Sequence, residues 1–397
     1  MTVQAIYSQA VNDGNYDLGS WVNTKHDYVR NIWEDYLSQF ILQTPLLSLY
    51  STRNKIRVLD LGCGTGQGYK LIPFLQSGKF SYSYVGLDVN PDMIKKGKEL
   101  FHNTPNVEFY EHDLCNGLGS WKKHFDVYFS SYGSLSYLDD SQLLQLLLEI
   151  ASVAGHGSLI ILDLLGRFSL EWPQYWIEPS DAVPPYLHDY SISYLSSEAI
   201  YKQPMKMRFW STEEINNLLK SNPGLSNLKV VKAVDRSVLV GRHTDTREYN
   251  SDLPPIRSLV NQLFSHQLAD LSSLIVKTDI IPSTAESADQ KVSEFLHSYL
   301  NAWNTLVNFC NDRVCWGIGL RDLENWANMP RSLHFALMKI NELLDVNRCY
   351  ASDDYVANIV QPYLAMNLRN LEFEMQQGLG LGCGHGLVIV LQVNHEI

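Results

Sequence analysis

The sequence predicts an α/β fold: an open, mostly parallel sheet of six or seven strands with helices on its faces, and a helical block inserted before the last strand. Three observations predict it. Between Ile56 and Gly166, short apolar runs alternate with segments whose apolar residues recur near a 3.6-residue period, the pattern of successive strand–helix–strand units. Glycines close the first apolar run and lead into the next segment. From about 255 to 377 strand signals nearly vanish, and they return in GLVIVLQV (386–393).

Each element has its own signal. His26 to Leu42 reads as an amphipathic helix with Val29, Ile32, Trp33, Tyr36, Leu37 and Phe40 on one face, most simply a core stripe. The strands are IRVLDLG (56–62), YSYVGLDV (82–89), NVEFYEHDL (106–114), FDVYFSS (125–131) and GSLIILDLLG (157–166). GYKLIPFLQSG, PDMIKKGKELFHN and SQLLQLLLEIASVAG supply helical connections. Ser211 and Glu214 stand at capping-box spacing before TEEINNLLK, and a further strand runs through 228–241. After a break at Leu253, Pro254 and Pro255, the strongest helix carries Val292, Phe295, Leu296, Tyr299, Leu300, Trp303, Leu306, Val307 and Cys310 on one face, most simply core; Ser283 and Glu286 have capping-box spacing ahead of it. GLGLGCGHG (378–386) reads as a helix stop and a flexible link. The expected domains are an aromatic, helical N-terminal cover (1–50), a sheet domain (51–250 with 386–397), and a helical insertion (255–377) for substrate binding or oligomerisation.

Composition narrows the function. The 397 residues suggest two or three domains, and 45% hydrophobic with 19% charged residues excludes a disordered or collagenous chain. With 31 basic against 43 acidic side chains the net charge is −12, which disfavours nucleic-acid partners because phosphate neutralisation requires a basic surface. The six scattered cysteines and an N-terminus without signal-peptide character lead to the expectation of a reduced, cytoplasmic protein. Cys310 and Cys315 have the wrong spacing for C-x-x-C, so no metal site is expected. Apolar runs are shorter than the roughly 20 residues that span a bilayer, so no membrane segment is expected.

The chemistry lies in Asp60-Leu61-Gly62-Cys63-Gly64-Thr65-Gly66-Gln67-Gly68, which places a loop without side-chain bulk at the carboxyl edge of the sheet, where open α/β sheets bind ligands. A dinucleotide fingerprint G-x-G-x-x-G requires glycine at 67 or 69, where the chain has Gln67 and Tyr69. The motif VLDLGCGTGQG instead resembles motif I of the class I S-adenosylmethionine-dependent methyltransferases. Asp88 at the end of the second strand, in VGLDVNPDMI, and Asp113 after the third, in EFYEHDL, stand where that family places further acids.

The resemblance implies a Rossmann-like sheet, S-adenosylmethionine as cofactor, and roles for particular residues. Asp60 lies near the methionine moiety, with Gly62, Gly64 and Gly66 forming the loop. Asp88 takes the ribose hydroxyls, Val89 and Met93 flank adenine, Asp113 meets its amino group and Leu114 offers backbone N–H. The backbone of Ser130 and Ser131 lines the methionine end. Segment Ser130-Ser131-Tyr132-Gly133-Ser134 lacks the Asn/Asp-Pro-Pro-Tyr/Phe signature of enzymes acting on base amino groups, and no glutamate pair of the protein-arginine type is present. The expected acceptor is therefore an amine or hydroxyl of a small molecule, in specialised metabolism. Tyr132, Tyr137 and Arg167, at the ends of the fourth and fifth strands, are substrate candidates. So are Tyr16, Trp21, His26 and Tyr28 of the N-terminal stretch, where rings near a sulfonium gain cation–π attraction. A homodimer is a further expectation. The competing readings are a cofactor-binding regulator without turnover and, more remotely, a dinucleotide-dependent oxidoreductase.

Overall fold

The computed structural model describes residues 2–17, 27–72, 75, 81–178, 184–265, 267, 270–285, 289–323, 326–348 and 355–394. They form two compact units: Met1–Arg167 with Glu178–Arg236 and Leu379–Ile397, and Phe168–Ile177 with Ser237–Gly378.

The first unit is built on β1 (Lys55–Leu61), β2 (Ser81–Asp88), β3 (Val107–Glu111), β4 (Val127–Phe129) and β5 (Leu159–Gly166), parallel in the order β3-β2-β1-β4-β5. β5 is buried at every position because it is flanked on both sides, whereas β3, at the edge, buries only Phe109. Beside β5 the last strand, β9 (Gly386–Val393), runs antiparallel, and β8 (Leu228–Arg236) pairs antiparallel with β9. β6 (Leu187–Tyr190) and β7 (Met205–Trp210) form an antiparallel pair that meets the end of β5 at Leu165 and Gly166. The sheet therefore has nine strands against the six or seven that the sequence suggested, because this pair was too short and irregular to stand out. β8 is also shorter than expected, since Ser237 takes φ 62° and ends the ladder.

Local chemistry explains the helices. α1 (Val3–Asn12) is capped by Thr2, and α2 (Tyr36–Tyr50) continues a π-helical segment, Val29–Asp35. α3 (Pro91–Leu100) opens on Asn90, whose side chain accepts from Asp92 N and Met93 N, with Pro91 in the first turn. α4 (Asp140–Val153) and α5 (Thr212–Ser221) each begin with a capping box, Asp139/Gln142 and the expected Ser211/Glu214. Leu143, Leu146, Leu147 and Ile150 of α4 pack with Leu59, Tyr128, Ile160 and Leu162 of the sheet to make the core on that face.

Two further expectations fail in this unit. In the helix from Val29, Trp33 and Leu37 are buried as foreseen, but Ile32, Tyr36 and Phe40 are 38%, 60% and 51% exposed. The charged Arg30, Glu34 and Asp35 take the inward side instead. The loop 378–386 is not a loose link either: Asp235 accepts from Leu381 N and Gly382 N at 2.8 Å each, and a Cβ on Gly384 would stand 2.5 Å from Arg236 O. These glycines wrap an internal carboxylate, the anion-nest geometry of consecutive N–H groups.

The second unit is mainly helical: α6 (Ile256–Phe264), α7 (Gln290–Trp316), α8 (Arg331–Arg348) and α9 (Gln361–Met375). α7 begins at the N-cap Asp289 rather than near Ser283; Glu286 lies outside the described residues. Its Val292, Leu296, Tyr299, Leu300, Trp303, Leu306, Val307 and Cys310 are buried, and the Trp303 indole donates to Leu274 O at 2.9 Å. Glu372 of α9 accepts Ser237 N and Val238 N at 2.9 and 3.1 Å. Segment 168–177 joins this unit through Glu171, which accepts His243 N, and through Trp172, whose ring meets His243 and Tyr249. His243 is thus buried against aromatic rings. Among the described residues no helix is long and apolar enough to cross a membrane.

Candidate cofactor site

Strand order reverses between β1 and β4, so the crevice beyond their carboxyl ends is where an open sheet of this kind accepts a ligand. The loop after β1 is tied to β2 by Gly62 N and Cys63 N, which donate to Leu87 O at 2.8 and 2.9 Å. Gly62, Gly64 and Gly66 have φ of 74°, 53° and 84°. They differ in surroundings. A Cβ on Gly66 would stand 2.6 Å from the Phe109 ring, whereas one on Gly64 would meet nothing within 4 Å. Gly66 is needed by the fold, and Gly64 leaves space beside a free loop edge.

Two acids converge on that loop. Asp88 holds Gly64 N at 2.8 Å with one carboxylate oxygen and Asn90 N at 2.9 Å with the other. Burial raises its pKa, and these backbone bonds oppose the rise. Asp60 is fully buried; the Tyr84 hydroxyl donates to its Oδ2, and its Oδ1 has no hydrogen-bond partner. Burial, opposed by the Tyr84 bond and reinforced by the Asp88 charge, pushes Asp60 up to about 7. The Thr65 hydroxyl is buried and likewise unsatisfied. Ser131 reaches the same point, since a Cβ on Gly68 would stand 2.7 Å from Asp60 Oδ2 and 2.9 Å from Ser131 Oγ. The Ser134 hydroxyl lies 2.8 Å from Gly62 O and 2.6 Å from Ser131 O, linking the turns after β1 and β4. Ser130 is buried, with its N–H on Ile161 O.

The remaining cofactor candidates are placed less uniformly. Met93 is buried at the start of α3 and Val89 is 38% exposed beside Asp88. Asp113 is exposed, and its carboxylate accepts from Cys115 N at 2.9 Å and Asn116 Nδ2 at 3.1 Å, capping the short turn that begins with Leu114. Sequence reasoning missed α1: Asn90 Nδ2 donates to Gln4 O at 2.9 Å and Gln4 Nε2 to Val89 O at 3.4 Å, which seats this helix on the turn carrying Asp88.

Among the substrate candidates, Tyr137 has its hydroxyl 2.9 Å from that of Tyr7 on α1 and 3.4 Å from Met205 Sδ. Burial pushes Tyr137 well above the usual phenol range, helped by Tyr7, Tyr190 and Tyr194 nearby. Tyr132 adopts φ 58°; its N–H donates to Asp163 at 2.7 Å, its hydroxyl to Asp35 at 2.7 Å, and the Arg30 guanidinium sits 3.5 Å from its ring centre. It belongs to a buried charge network that the sequence did not reveal: Arg30 and Lys70 flank Asp35 at 2.7 and 2.6 Å, and Arg236 grips Asp163 at 2.9 Å. Burial would raise Asp35, but Arg30 and Lys70 prevail and hold it below the ordinary carboxylate value. Arg167 is paired with Glu178 and Glu214, and Tyr16 is buried. Tyr28 is 38% exposed, while Trp21 and His26 lie outside the described residues. No group of three or more His, Cys, Asp or Glu gathers as a metal site among the described residues.

Residues 58–157 match the sequence model of a family described as "Methyltransferase domain". A malonyl-[acyl-carrier protein] O-methyltransferase of Ilyobacter polytropus is 23% identical over 154 residues, 38% of this chain and 51% of its own length. A putative protein N5-glutamine methyltransferase of Methanocaldococcus jannaschii is 33% identical over 131 residues, 33% of this chain and 60% of its own length. The chain thus spans between about half and three-fifths of these relatives. An S-adenosylmethionine-dependent methyltransferase structure from Clostridium acetobutylicum is similar at 17% identity and a TM-score of 0.37, over 58% of this chain and 90% of that one. Residues 58–157, with their D-x-G-x-G-x-G turn at the switch point of the sheet, are a class I methyltransferase domain whose cofactor is S-adenosylmethionine.

Proposed function

We propose that the chain binds S-adenosylmethionine across the carboxyl ends of β1, β2 and β4 and transfers its methyl group to an amine or hydroxyl of a small-molecule acceptor. The observation that carries this reading is the Asp88 carboxylate, fixed by Gly64 N and Asn90 N beside the open side of Gly64. The residues fit the cofactor. Asp88 retains lone pairs for a ribose diol, and Asp60 has a buried oxygen without a partner that suits the methionine ammonium, directly or through water. Met93 and Val89 offer apolar surface to adenine. Asp113 already satisfies its own turn, so its share in holding the adenine amino group rests on the remaining lone pairs and on Leu114 N–H.

When bound, S-adenosylmethionine supplies a methyl carbon on a cationic sulfur, which leaves as a neutral thioether as an acceptor lone pair displaces it in line. The chain's part is alignment and exclusion of water. The Tyr7–Tyr137 pair and Tyr190 build an aromatic wall near the end of β4, and α1 closes over the Asp88 turn. Tyr132 and Tyr137 are both held protonated by burial, so neither serves as a base near neutral pH.

The test has two stages. Calorimetric titration with S-adenosylhomocysteine, with NADH and NADPH in parallel, should show binding of the first alone; nicotinamide binding instead would refute the reading. Methyl-labelled S-adenosylmethionine is then offered with panels of amines and hydroxyl compounds. The two curated relatives are named for a carrier-bound malonyl group and a protein glutamine, so carboxylate and amide acceptors are run beside them. Tight binding without label transfer to any panel would favour the regulator reading.

A further inference from the structure

Tyr132 is a bulky residue at φ 58°, in the left-handed region that side chains avoid, and Gly133 follows it at φ 79°. Such a conformation persists only where its surroundings over-determine it, and here they do. The Tyr132 N–H donates to Asp163 Oδ2 at 2.7 Å and Gly133 N to Asp163 O at 3.0 Å, which ties the turn after β4 to β5. The Tyr132 hydroxyl donates to Asp35 at 2.7 Å, and the Arg30 guanidinium lies 3.5 Å from its ring centre. The same two residues of the π-helical segment hold the other turn of the site. Arg30 donates to Gln67 Oε1 at 3.3 Å, and Asp35 pairs with Lys70 at 2.6 Å. Gln67 and Lys70 belong to the short helix that follows the glycine loop. Arg30 and Asp35, themselves paired at 2.7 Å, thus grip the turns after β1 and β4 together.

We propose that Tyr132 is a positioning residue for the methionine end of S-adenosylmethionine, and that it acts through the Arg30–Asp35 clamp. This rests on the cofactor reading given above and deepens it. The turn that Tyr132 fixes is packed against the glycine loop: Ser134 Oγ lies 2.8 Å from Gly62 O, and a Cβ on Gly62 would stand 2.6 Å from Ser134 Cβ. Ser131, the residue before Tyr132, shares with Asp60 the space over Gly68, where a Cβ would meet Asp60 Oδ2 at 2.7 Å and Ser131 Oγ at 2.9 Å. Asp60 keeps a buried oxygen without a partner, the one suited to the ammonium. Charge-assisted hydrogen bonds are short and directional, so a small displacement of Ser131 or Gly62 is felt by an ammonium held there. The ribose end is fixed by other groups. Asp88 takes its place from Gly64 N and Asn90 N, and Gly62 N and Cys63 N hang from Leu87 O. Loosening the clamp therefore disturbs the amino-acid half of the cofactor and spares the adenosine half.

Two probes separate the halves: S-adenosylhomocysteine carries both, and 5′-methylthioadenosine lacks the amino-acid end. Calorimetry on the full chain reads their affinities side by side. Tyr132→Phe keeps the ring against Arg30 and removes only the bond to Asp35. It should weaken S-adenosylhomocysteine about tenfold while 5′-methylthioadenosine stays within about twofold. Asp35→Asn should give the same selective loss, and a larger one, because Arg30 and Lys70 lose their charge partner too. Adding Tyr132→Phe to Asp35→Asn should then cost little more, since the two act as one unit. Lys70→Met, at a partly exposed side chain, should show the selective loss in smaller measure and keeps the test open if Asp35→Asn does not fold. Equal weakening of both probes, tracking a lowered melting temperature, would mean that the network serves the fold alone and would overturn the proposal. So would unchanged affinity for both in a folded Tyr132→Phe, or fully additive losses in the double variant. A wild type that binds neither probe overturns the cofactor reading and this proposal with it, whereas the other failures leave that reading standing.

Discussion

Asp60→Asn is the sharpest test of the site, because it preserves shape and removes only a charge. Asp60 is fully buried, and its pKa stands at about 7 against the ordinary 3.8, chiefly through burial. A carboxyl whose folded value is raised destabilises the fold as it ionises: below about pH 4 both states are protonated and nothing is lost, and the penalty then grows until pH passes 7 and levels off. The shift corresponds to about 4 kcal/mol at pH 8 and about 2 kcal/mol near pH 5.5. The amide of the variant would escape this penalty while keeping an acceptor for the Tyr84 hydroxyl. Denaturant unfolding of both proteins at pH 4, 5.5 and 8, without cofactor, should therefore show the variant gaining on the wild type as pH rises. The same variant should lose affinity for S-adenosylhomocysteine, since the amide has no charge to offer an ammonium. A stability difference that does not change with pH would refute the argument.

Three further outcomes are expected. Asp88→Ala removes the acceptor that fixes Gly64 and Asn90, and should weaken S-adenosylhomocysteine binding by about 1.5 to 3 kcal/mol by calorimetry; unchanged affinity in a folded variant would sink the ribose assignment. Gly66→Ala and Gly64→Ala separate fold from site: the first places a Cβ 2.6 Å from Phe109 at positive φ and should cost about 2 to 4 kcal/mol of stability in urea. The second should cost about 1 to 2 kcal/mol but lose most cofactor affinity, because its Cβ enters open space. Trp303→Ala should destabilise the second unit by about 3 to 5 kcal/mol, seen as a lowered melting temperature, with cofactor affinity nearly intact; a cofactor effect without a stability effect would contradict its place in the helical core.

The positions of β1 to β5 were legible because each is a compact apolar run bounded by polar or glycine-rich turns, and the glycine turn because a D-x-G-x-G-x-G pattern has few physical uses. The β6–β7 pair was not legible. Its strands are short, β6 exposes Asp189 while burying Tyr190, and β7 carries Lys206 and Arg208 among its apolar residues, the latter buried on the acids Asp140 and Glu214. A charge neutralised by a distant acid looks, in sequence, like a surface residue.

The same ambiguity hid the environment of the site and inverted the reading of the first long helix. Hydrophobic periodicity assigns Ile32, Tyr36 and Phe40 to a core and Arg30, Glu34 and Asp35 to solvent, because burying three charges is costly unless partners wait for them. The partners come from residues far along the chain: Lys70 and Tyr132 for Asp35, Gln67 for Arg30, and Arg236 close to Glu34. The π-helical segment assists by bringing residues five apart together, so that Arg30 reaches Asp35 at 2.7 Å within one element. Gln67 and Lys70 follow directly on the glycine loop, and Tyr132 follows Ser131, so the charges drawn inward are those that brace the cofactor loop from behind. The inward side of the helix is thus taken by charges whose partners sit on the turns after β1 and β4, and Ile32, Tyr36 and Phe40 lie on its outer side.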